Sequence, residues 1–309
     1  MSGHVAAMAY GVLGTVLYHV SKGMQRQGIE AVSWIFFTRK KAGAAVRPRP
    51  SSKSTALYTA GFILNNSLGL FAILANRHAP ASYFTSMFGL GVIALMLYSG
   101  LILKEPTRPL QYAGASVLAV GTLLLGYDGI LRDQLSMAGI DLPAFGLVTG
   151  LTLAAVVLFL GPAHRSRNLV LLCVFYGLLT GLAASLDPVL KGIGQSLGGG
   201  ARYLPRLPWG WFFFLLSFVF ATLSFAASQW IFSRGGRASV LIPSQNFSYV
   251  VYPLLIQGIA LPGFRLTALT AGGLAVTCLG FVLMQIWTPK TAGAGFGRPD
   301  GCIPPSRPG

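Results

Sequence analysis

Residues Leu101–Tyr127 read LILKEPTRPLQYAGASVLAVGTLLLGY and hold three charged side chains between two apolar stretches. The charges are Lys104, Glu105 and Arg108, with one proline inside the group and another directly after it. Proline lacks a backbone N–H, so it interrupts a helix, but it fits the first turn of the next one. The pattern therefore predicts two apolar helices joined by a short charged loop.

The composition favours a membrane protein. Charged residues make up 10% of the 309-residue chain, against roughly 25% in a soluble domain, while hydrophobic residues make up 53%. The mean hydropathy is +0.65. A single water-exposed domain has too little polar surface to cover this much apolar side chain, so the lipid bilayer is the expected solvent.

Nine windows lack Asp, Glu, Lys and Arg and are about as long as the roughly 20 residues that a spanning helix needs. They are residues 1–21, 54–76, 78–103, 109–127, 142–163, 168–186, 207–233, 238–264 and 266–289. The loop that holds Glu105 then lies at a membrane surface. Gly28–Val46 is ambiguous, because an apolar start is followed by Arg39, Lys40 and Lys41. It is either an amphipathic cytoplasmic loop or a short tenth helix with its basic end at the surface.

The formal net charge of +16 does not indicate nucleic-acid binding, because the basic residues lie in the loops between apolar windows. Positive loops stay on the cytoplasmic face. This rule predicts a multi-pass protein of the inner or plasma membrane with a cytoplasmic C-terminus. Nine helices and ten helices place the N-terminus on opposite sides. Residues 288–309, rich in Gly and Pro, are expected to form a disordered cytoplasmic tail.

The sequence holds no enzyme or metal-site signature. Cys173, Cys278 and Cys302 have no metal-ligand spacing, and Gly198–Gly200 lacks the strand-to-helix context of a phosphate loop. We therefore expect no catalytic residue, no metal and no cofactor.

Two segments look like copies of one helix pair. Arg77–Gly126 and Ser233–Leu283 each open on an Ala-Ser pair, cross the membrane, turn at a proline-containing loop and return through a glycine-rich span. In the predicted topology they run in opposite directions, as in the inverted repeats of transporters. The alternative is that any two adjacent spanning helices share these features.

Residues Pro80–Gly126 resemble the closing helix pair of an EamA-type repeat in the drug/metabolite transporter superfamily. The features that carry the resemblance are Leu103–Glu105 at the end of one helix and Gln111–Gly114 with Gly121 in the next. Arg39 in Gly28–Val46 is similar to an arginine common in that family's second helix.

The resemblance implies ten helices in two inverted five-helix halves, the second helix being short. The first half would be residues 1–127, residues 128–141 an external linker, and the second half residues 142–287. The implied helices of the first half are about 4–22, 29–46, 54–76, 80–103 and 109–127, and those of the second are 142–162, 168–190, 209–233, 238–260 and 265–287.

The chain is also similar to the nine-helix NIPA branch of magnesium transporters. Ala79–Ala81 matches that branch's APA motif, and Lys22–Gly28 matches its basic stretch after the first helix. Gly69 stands where that branch has a membrane-embedded acid. Hard divalent cations prefer carboxylate oxygens, and the first four windows hold no carboxylate.

Polar groups at mid-membrane are costly and usually face a protein interior or a wet cavity. Four amides on two spans are therefore expected to converge on one cavity that takes a neutral or cationic solute. The candidate substrate-binding residues are Asn65, Asn66, Tyr83, Ser86, Ser244, Gln245, Asn246 and Tyr249. The alternative for each is a packing contact between helices.

Charged residues at the ends of spans have two interpretations. Asp187 and Lys191 lie four residues apart on one helix face, and His19 and Lys22 close the first span. They form either surface ion pairs or a proton- or cation-coupling site. Glu105 is expected to pair with Arg108 or Lys104 as a structural loop anchor.

The sequence thus predicts an all-α polytopic membrane protein, a permease that moves a small organic solute by alternating access. Its expected partners are the lipid bilayer and the solute, without nucleic acid, and a homodimer is left open. Three other functions stay open: magnesium transport, a non-transporting membrane scaffold, and a membrane-embedded lipid-processing enzyme.

Overall fold

The computed structural model describes residues 3–31, 50–105, 107–131, 137–165, 168–197 and 202–286. These residues form α-helices and one 3-10 turn, Met137–Gly139, without a strand. The helices are α1 (Gly3–Gln27), α2 (Ser52–Asn76), α3 (Ala81–Thr85), α4 (Phe88–Leu101), α5 (Pro109–Leu131), α6 (Leu142–Arg165), α7 (Leu169–Ser196), α8 (Pro208–Ser233), α9 (Ala238–Ala260) and α10 (Ala268–Ile286).

Seven helical segments in the described part of the chain are long and apolar enough to cross a membrane. They are α2, α3 with α4, α5, α6 up to Pro162, α7, α8 and α10 up to Gln285. The chain is therefore a membrane-embedded helical protein, as the composition predicts.

Helices α1 and α9 are not among the seven, although each overlaps a window of the sequence that lacks acidic and basic residues. The reason is that both helices carry buried polar side chains, which lower their mean hydropathy. Most of α9 is buried against other helices, and it carries Ser244, Gln245 and Asn246 in its interior. Helix α1 likewise buries His19 and Lys22. Polar side chains in membrane helices usually face the interior of the bundle rather than lipid.

Helices α5 and α10 pack closely along their lengths and run in opposite directions. Their contacts proceed in reverse order: Gly114 lies against Met284, Leu118 against Gly280, Gly121 against Thr277 and Leu125 against Gly273. Beyond them, Asp128 accepts hydrogen bonds from Thr267 (2.6 Å) and Thr270 (2.8 Å). The glycines bring the two backbones together, as small residues do in membrane helix pairs.

Several helix boundaries differ from those expected. Helix α1 continues to Gln27 rather than ending near residue 22, and α7 continues to Ser196 rather than 190. These turns hold buried polar groups that the apolar windows did not include. The expected span 80–103 is interrupted after α3, at Ser86 and Met87. Most of the expected linker 128–141 either belongs to the end of α5 or lies outside the described residues. Nearly all of the expected short helix 29–46 and the whole of the expected tail 288–309 lie outside the described residues.

The charged loop between α4 and α5 also closes a distant helix end. Lys104 has a positive φ of 53°, and the carboxylate of Glu105 turns toward α9. It accepts hydrogen bonds from the backbone N–H groups of Ala238 (3.1 Å) and Ser239 (3.0 Å) and lies 3.9 Å from Arg26. The partners of Glu105 are thus Arg26 and the N-terminus of α9, rather than the expected Lys104 or Arg108.

Replacing Glu105 with alanine should lower the free energy of unfolding by about 1–2 kcal/mol, because two N-terminal amides of α9 lose their acceptor. Glu105→Gln should cost less, since its remaining carbonyl still accepts. Thermal unfolding of the purified variants measures the order. The exposed Glu30→Ala is the control, and an equal loss for Glu30→Ala and Glu105→Ala would remove the capping role.

Candidate functional site

A cavity of about 230 Å³ lies between α1, α2, α7 and α8. Its wall combines aromatic rings with amide, hydroxyl and charged groups. The lining residues are Tyr18, Lys22, Phe62, Asn65, Asn66, Leu68, Gly69, Ala184, Asp187, Lys191, Phe218, Ala221, Thr222, Ser224 and Phe225. A polar cavity among apolar helices is the usual form of a solute site within a membrane protein.

The helices around the cavity are held together by close backbone contacts at glycine. A Cβ built at Gly28, directly after α1, would lie 2.7 Å from the backbone nitrogen of Tyr58 in α2. One built at Gly194 in α7 would lie 3.1 Å from the backbone nitrogen of Phe214 in α8. Each pair is thus joined near one end, and the polar side chains of both pairs line the space between them.

Asp187 and Lys191 form a buried ion pair in this wall. Lys191 Nζ donates to Asp187 Oδ1 one turn back along α7, and the side chains are nearly excluded from solvent. Lys191 Nζ also lies 4.3 Å from the ring centroid of Phe218, and Gly69 in α2 lies beside it. The two candidate residues therefore lie inside the protein, not at a surface.

Proline at position 188 changes the same turn of α7. Because Pro188 has no backbone N–H, it cannot donate to the carbonyl of Ala184, a residue of the cavity wall. The carbonyl of Pro188 itself accepts a hydrogen bond from Asn76 in α2 (2.8 Å). The interruption thus places a backbone acceptor near the charged pair.

Lys22 reaches the cavity from α1 and is only 1% exposed. Its Nζ lies 5.0 Å from the ring centroid of Tyr18 and 5.4 Å from that of Phe225. Among the described residues no carboxylate lies within 4.0 Å of it. The two lysines of the wall therefore have different surroundings: Lys191 has an acid beside it and Lys22 has aromatic rings.

Only two of the four amides expected to converge do so. Asn65 and Asn66 line the cavity, and the buried Oδ1 of Asn65 has no hydrogen-bond partner among the described residues. Asn66 donates to the carbonyl of Phe62 in its own helix (2.8 Å). Gln245 and Asn246 are buried in α9 and are not part of the wall. Gln245 does donate a hydrogen bond (3.2 Å) to Ser224, which is a wall residue.

Asn246 joins three helices instead. Its Nδ2 donates to the carbonyl of Phe88 at the start of α4 (3.0 Å), and Thr15 of α1 donates to the same oxygen (3.0 Å). His19 lies beside this junction, with Nδ1 2.7 Å from the carbonyl of Thr15. A carbonyl only accepts, so the proton is on Nδ1. His19 and Asn246 therefore belong to the helix packing next to the cavity.

The remaining polar candidates also lie outside the cavity wall. Ser86 donates to the carbonyl of Tyr83 (3.0 Å), and Ser244 donates to that of Val240 (3.0 Å). Tyr249 packs on Phe88 with ring centroids 4.2 Å apart. The ring of Tyr83 lies 4.7 Å from that of His4. In this structure the two serines bond to carbonyls of their own helices, and the two tyrosines pack against rings of neighbouring helices.

The sequence interpretation did not include the aromatic part of the wall. Tyr18, Phe218 and Phe225 surround the two lysines, and Thr222 and Ser224 add hydroxyl groups. One signal was present: a Tyr-Gly pair followed by Lys-Gly occurs in both α1 and α7. Each of these two helices brings its lysine to the cavity.

The described residues hold no cluster of three or more His, Cys, Asp or Glu side chains able to bind a metal ion. The cavity wall instead joins one carboxylate with two lysines, a charge balance unfavourable to a divalent cation. Comparison of the chain with protein-family models, with curated proteins and with solved structures found no match.

Proposed function

We propose that the protein is a membrane transporter that moves a small organic solute by alternating access. The observation that carries the proposal is a cavity between four helices of a membrane-embedded bundle whose wall includes charged and polar side chains. Burying Lys22, Lys191 and Asp187 in such a bundle is expensive, and intramembrane charges usually mark a solute or ion pathway. A non-transporting scaffold does not need buried charges of this kind.

Corresponding contacts in the two parts of the chain support a construction from two repeats. In α1, a Cβ at Gly11 would lie 2.7 Å from the carbonyl oxygen of Phe84 in α3. In α7, a Cβ at Gly177 would lie 2.5 Å from the carbonyl oxygen of Leu241 in α9. Each glycine follows a tyrosine, and each carbonyl lies at the same distance after an Ala-Ser pair.

These contacts favour four-helix repeats over the five-helix halves expected from the sequence. The first repeat is α1, α2, α3 with α4, and α5; the second is α7, α8, α9 and α10. Helix α6 connects them and is largely exposed. If α1 and α9 also cross the membrane, the chain has nine spans. One connecting helix then separates the two four-helix repeats, so the second repeat enters the membrane from the opposite side and is inverted. The antiparallel contact of α5 with α10 agrees with this arrangement.

The side of each loop follows from charge. The basic residues between α1 and α2, together with those near the C-terminus, would lie in the cytoplasm of a cell whose inner or plasma membrane holds the protein. The resemblance to drug/metabolite transporters is part of this proposal. It rests on the α4–α5 segment and on inverted repeats as the mode of construction.

Replacing Asn65 with leucine should reduce transport about tenfold while leaving the melting temperature nearly unchanged. The reason is that Asn65 lines the cavity, where one hydrogen bond from its amide to a solute is worth up to about 1.5 kcal/mol. Asn246→Leu should instead destabilise the fold by about 1–3 kcal/mol, because it removes a buried donor to Phe88.

A ligand-stabilisation screen across amines, amino acids, carboxylates, nucleosides and Mg²⁺ would select the solute, and its uptake into proteoliposomes would measure transport. Ser116→Leu, on an exposed face of α5, is the matched control for a polar residue changed to leucine. Failure of every stabilising compound to enter proteoliposomes would contradict the transporter proposal.

A further inference from the structure

The charges of the cavity do not balance. Lys191 and Asp187 neutralise each other, and Lys22 adds a second basic group. A buried ammonium either keeps an anion beside it or gives up its proton, because an isolated charge away from water is strongly disfavoured. Lys22 therefore needs an anion in the cavity if it is to keep its charge.

The acids elsewhere in the described chain are engaged away from Lys22 or exposed. Glu105 binds the amides at the start of α9, and Asp128 accepts from Thr267, just before α10, and Thr270 within it. Asp141 accepts from the backbone N–H of Ala144 (3.1 Å). Glu30 is exposed. Of the described acids, Asp187 alone is in the wall, and it is already paired.

The rings around Lys22 compensate its charge only in part. Tyr18 and Phe225 present their faces to Lys22 Nζ at 5.0 and 5.4 Å, a distance at which an aromatic ring attracts an ammonium but does not supply a full negative charge. The same rings provide apolar surface for the body of an organic molecule.

We propose that the cavity binds a small organic monoanion whose carboxylate is the counter-charge of Lys22. The apolar body of the solute packs among Phe62, Phe218 and Phe225. The inference rests on the proposed function, since it names the substrate class of the same cavity. It replaces the neutral or cationic solute expected from the sequence.

The volume limits the size of the anion. About 230 Å³ is below the roughly 300–1,000 Å³ of pockets that take drug-sized ligands, so it suits a compact aromatic or aliphatic acid rather than a nucleotide. A single carboxylate also fits the single unpaired lysine, whereas a dianion would leave one charge without a partner.

The test compares matched carboxylates, amides and amines on the whole protein in nanodiscs of phosphatidylcholine. The probes are benzoate with benzamide and benzylamine, and 3-phenylpropionate with its amide and its amine. Binding is followed by calorimetry and by the shift of the melting temperature, so it does not depend on transport. We expect the carboxylates to bind at least tenfold more tightly than their amides, a difference of about 1.4 kcal/mol.

Three variants identify the lysine. Lys22→Met should lose the preference for carboxylate over amide, yet melt at the same temperature or higher, because it removes a buried charge. Lys22→Arg should retain the preference. Lys53→Met, which removes an exposed lysine at the start of α2, should behave as the unaltered protein does.

Equal binding of carboxylate and amide, preference for the amine, absence of binding by every probe, or an unchanged preference in Lys22→Met would each overturn the monoanion site. An anionic lipid headgroup has the same chemistry as the solute, so the binding is repeated in phosphatidylglycerol nanodiscs. If phosphatidylglycerol raises the melting temperature in a Lys22-dependent way and no carboxylate probe does so, the ligand is a lipid headgroup and the proposal of a free solute is overturned. Lys22-dependent binding without uptake into proteoliposomes would refute the transporter and leave the anion site standing.

Discussion

Asp187→Asn is expected to destabilise the protein by about 3–5 kcal/mol, the largest effect of any conservative substitution in the cavity wall. The variant keeps the size of the side chain but leaves Lys191 buried without its acid. Removing one partner of a buried pair costs this much because the remaining charge has neither water nor a counter-ion. The midpoint of thermal unfolding and the yield of folded protein after purification measure the loss.

The double variant Asp187→Asn, Lys191→Met separates charge from packing. Replacing both partners of a buried pair by uncharged groups is often neutral or stabilising. The double variant should therefore recover most of the stability that the single variant loses. Glu30→Gln, at an exposed acid, is the matched control and should change the midpoint little. If Asp187→Asn alone melts as the unaltered protein does, the pair is solvated and the cavity is open at this point.

Gly121→Ala is expected to separate α5 from α10 and to cost about 1–3 kcal/mol or more. A Cβ at this position would lie 2.5 Å from both the backbone nitrogen and Oγ1 of Thr277, and 2.9 Å from its Cα. Backbone atoms of a helix cannot move aside individually, so the whole helix must shift. The measurement is again the unfolding midpoint, together with protease resistance of the membrane-inserted protein.

Gly272→Ala is the matched control for this contact. Gly272 lies in α10 near Gly273, but a Cβ built there would have no heavy atom within 4 Å. Because alanine is the better helix former by about 1 kcal/mol, this variant should be neutral or slightly stabilising. Equal effects of the two substitutions would show that the close approach of the two backbones at Gly121 does not limit the size of the side chain there.

Much of the fold could be predicted because the hydrophobicity that places a helix in lipid can be summed over a contiguous segment of the sequence. Each of the nine windows without acidic or basic residues contains helix in the structure, and the charged stretch after Leu103 is a loop. The glycine spacing in α5 and α10 indicated close packing. Helix ends were less predictable, since the last turns of α1 and α7 carry Lys22 and Lys191, which the windows were chosen to exclude.

The candidate site was predicted only in part, for a physical reason. The sequence predicts Asn65 and Asn66 at the cavity because a polar side chain within an apolar, membrane-spanning helix needs a polar environment. The same reasoning applied equally to Gln245 and Asn246, but these find their partners in Ser224 and in the carbonyl of Phe88. Whether a buried amide faces a cavity or another backbone depends on the neighbouring helix.

The sequence by itself determined that the chain is a helical membrane protein, because hydrophobicity summed over about 20 residues decides whether a segment prefers lipid to water. The tertiary structure alone decided which charges meet. Lys22 and Lys191 lie in helices far apart in the chain, and they share one cavity because α1, α2, α7 and α8 pack around it. Such convergence depends on the rotation and crossing of several helices at once, which no single stretch of sequence encodes. For the same reason Glu105, within a loop that the sequence placed correctly, found its partners at the start of α9.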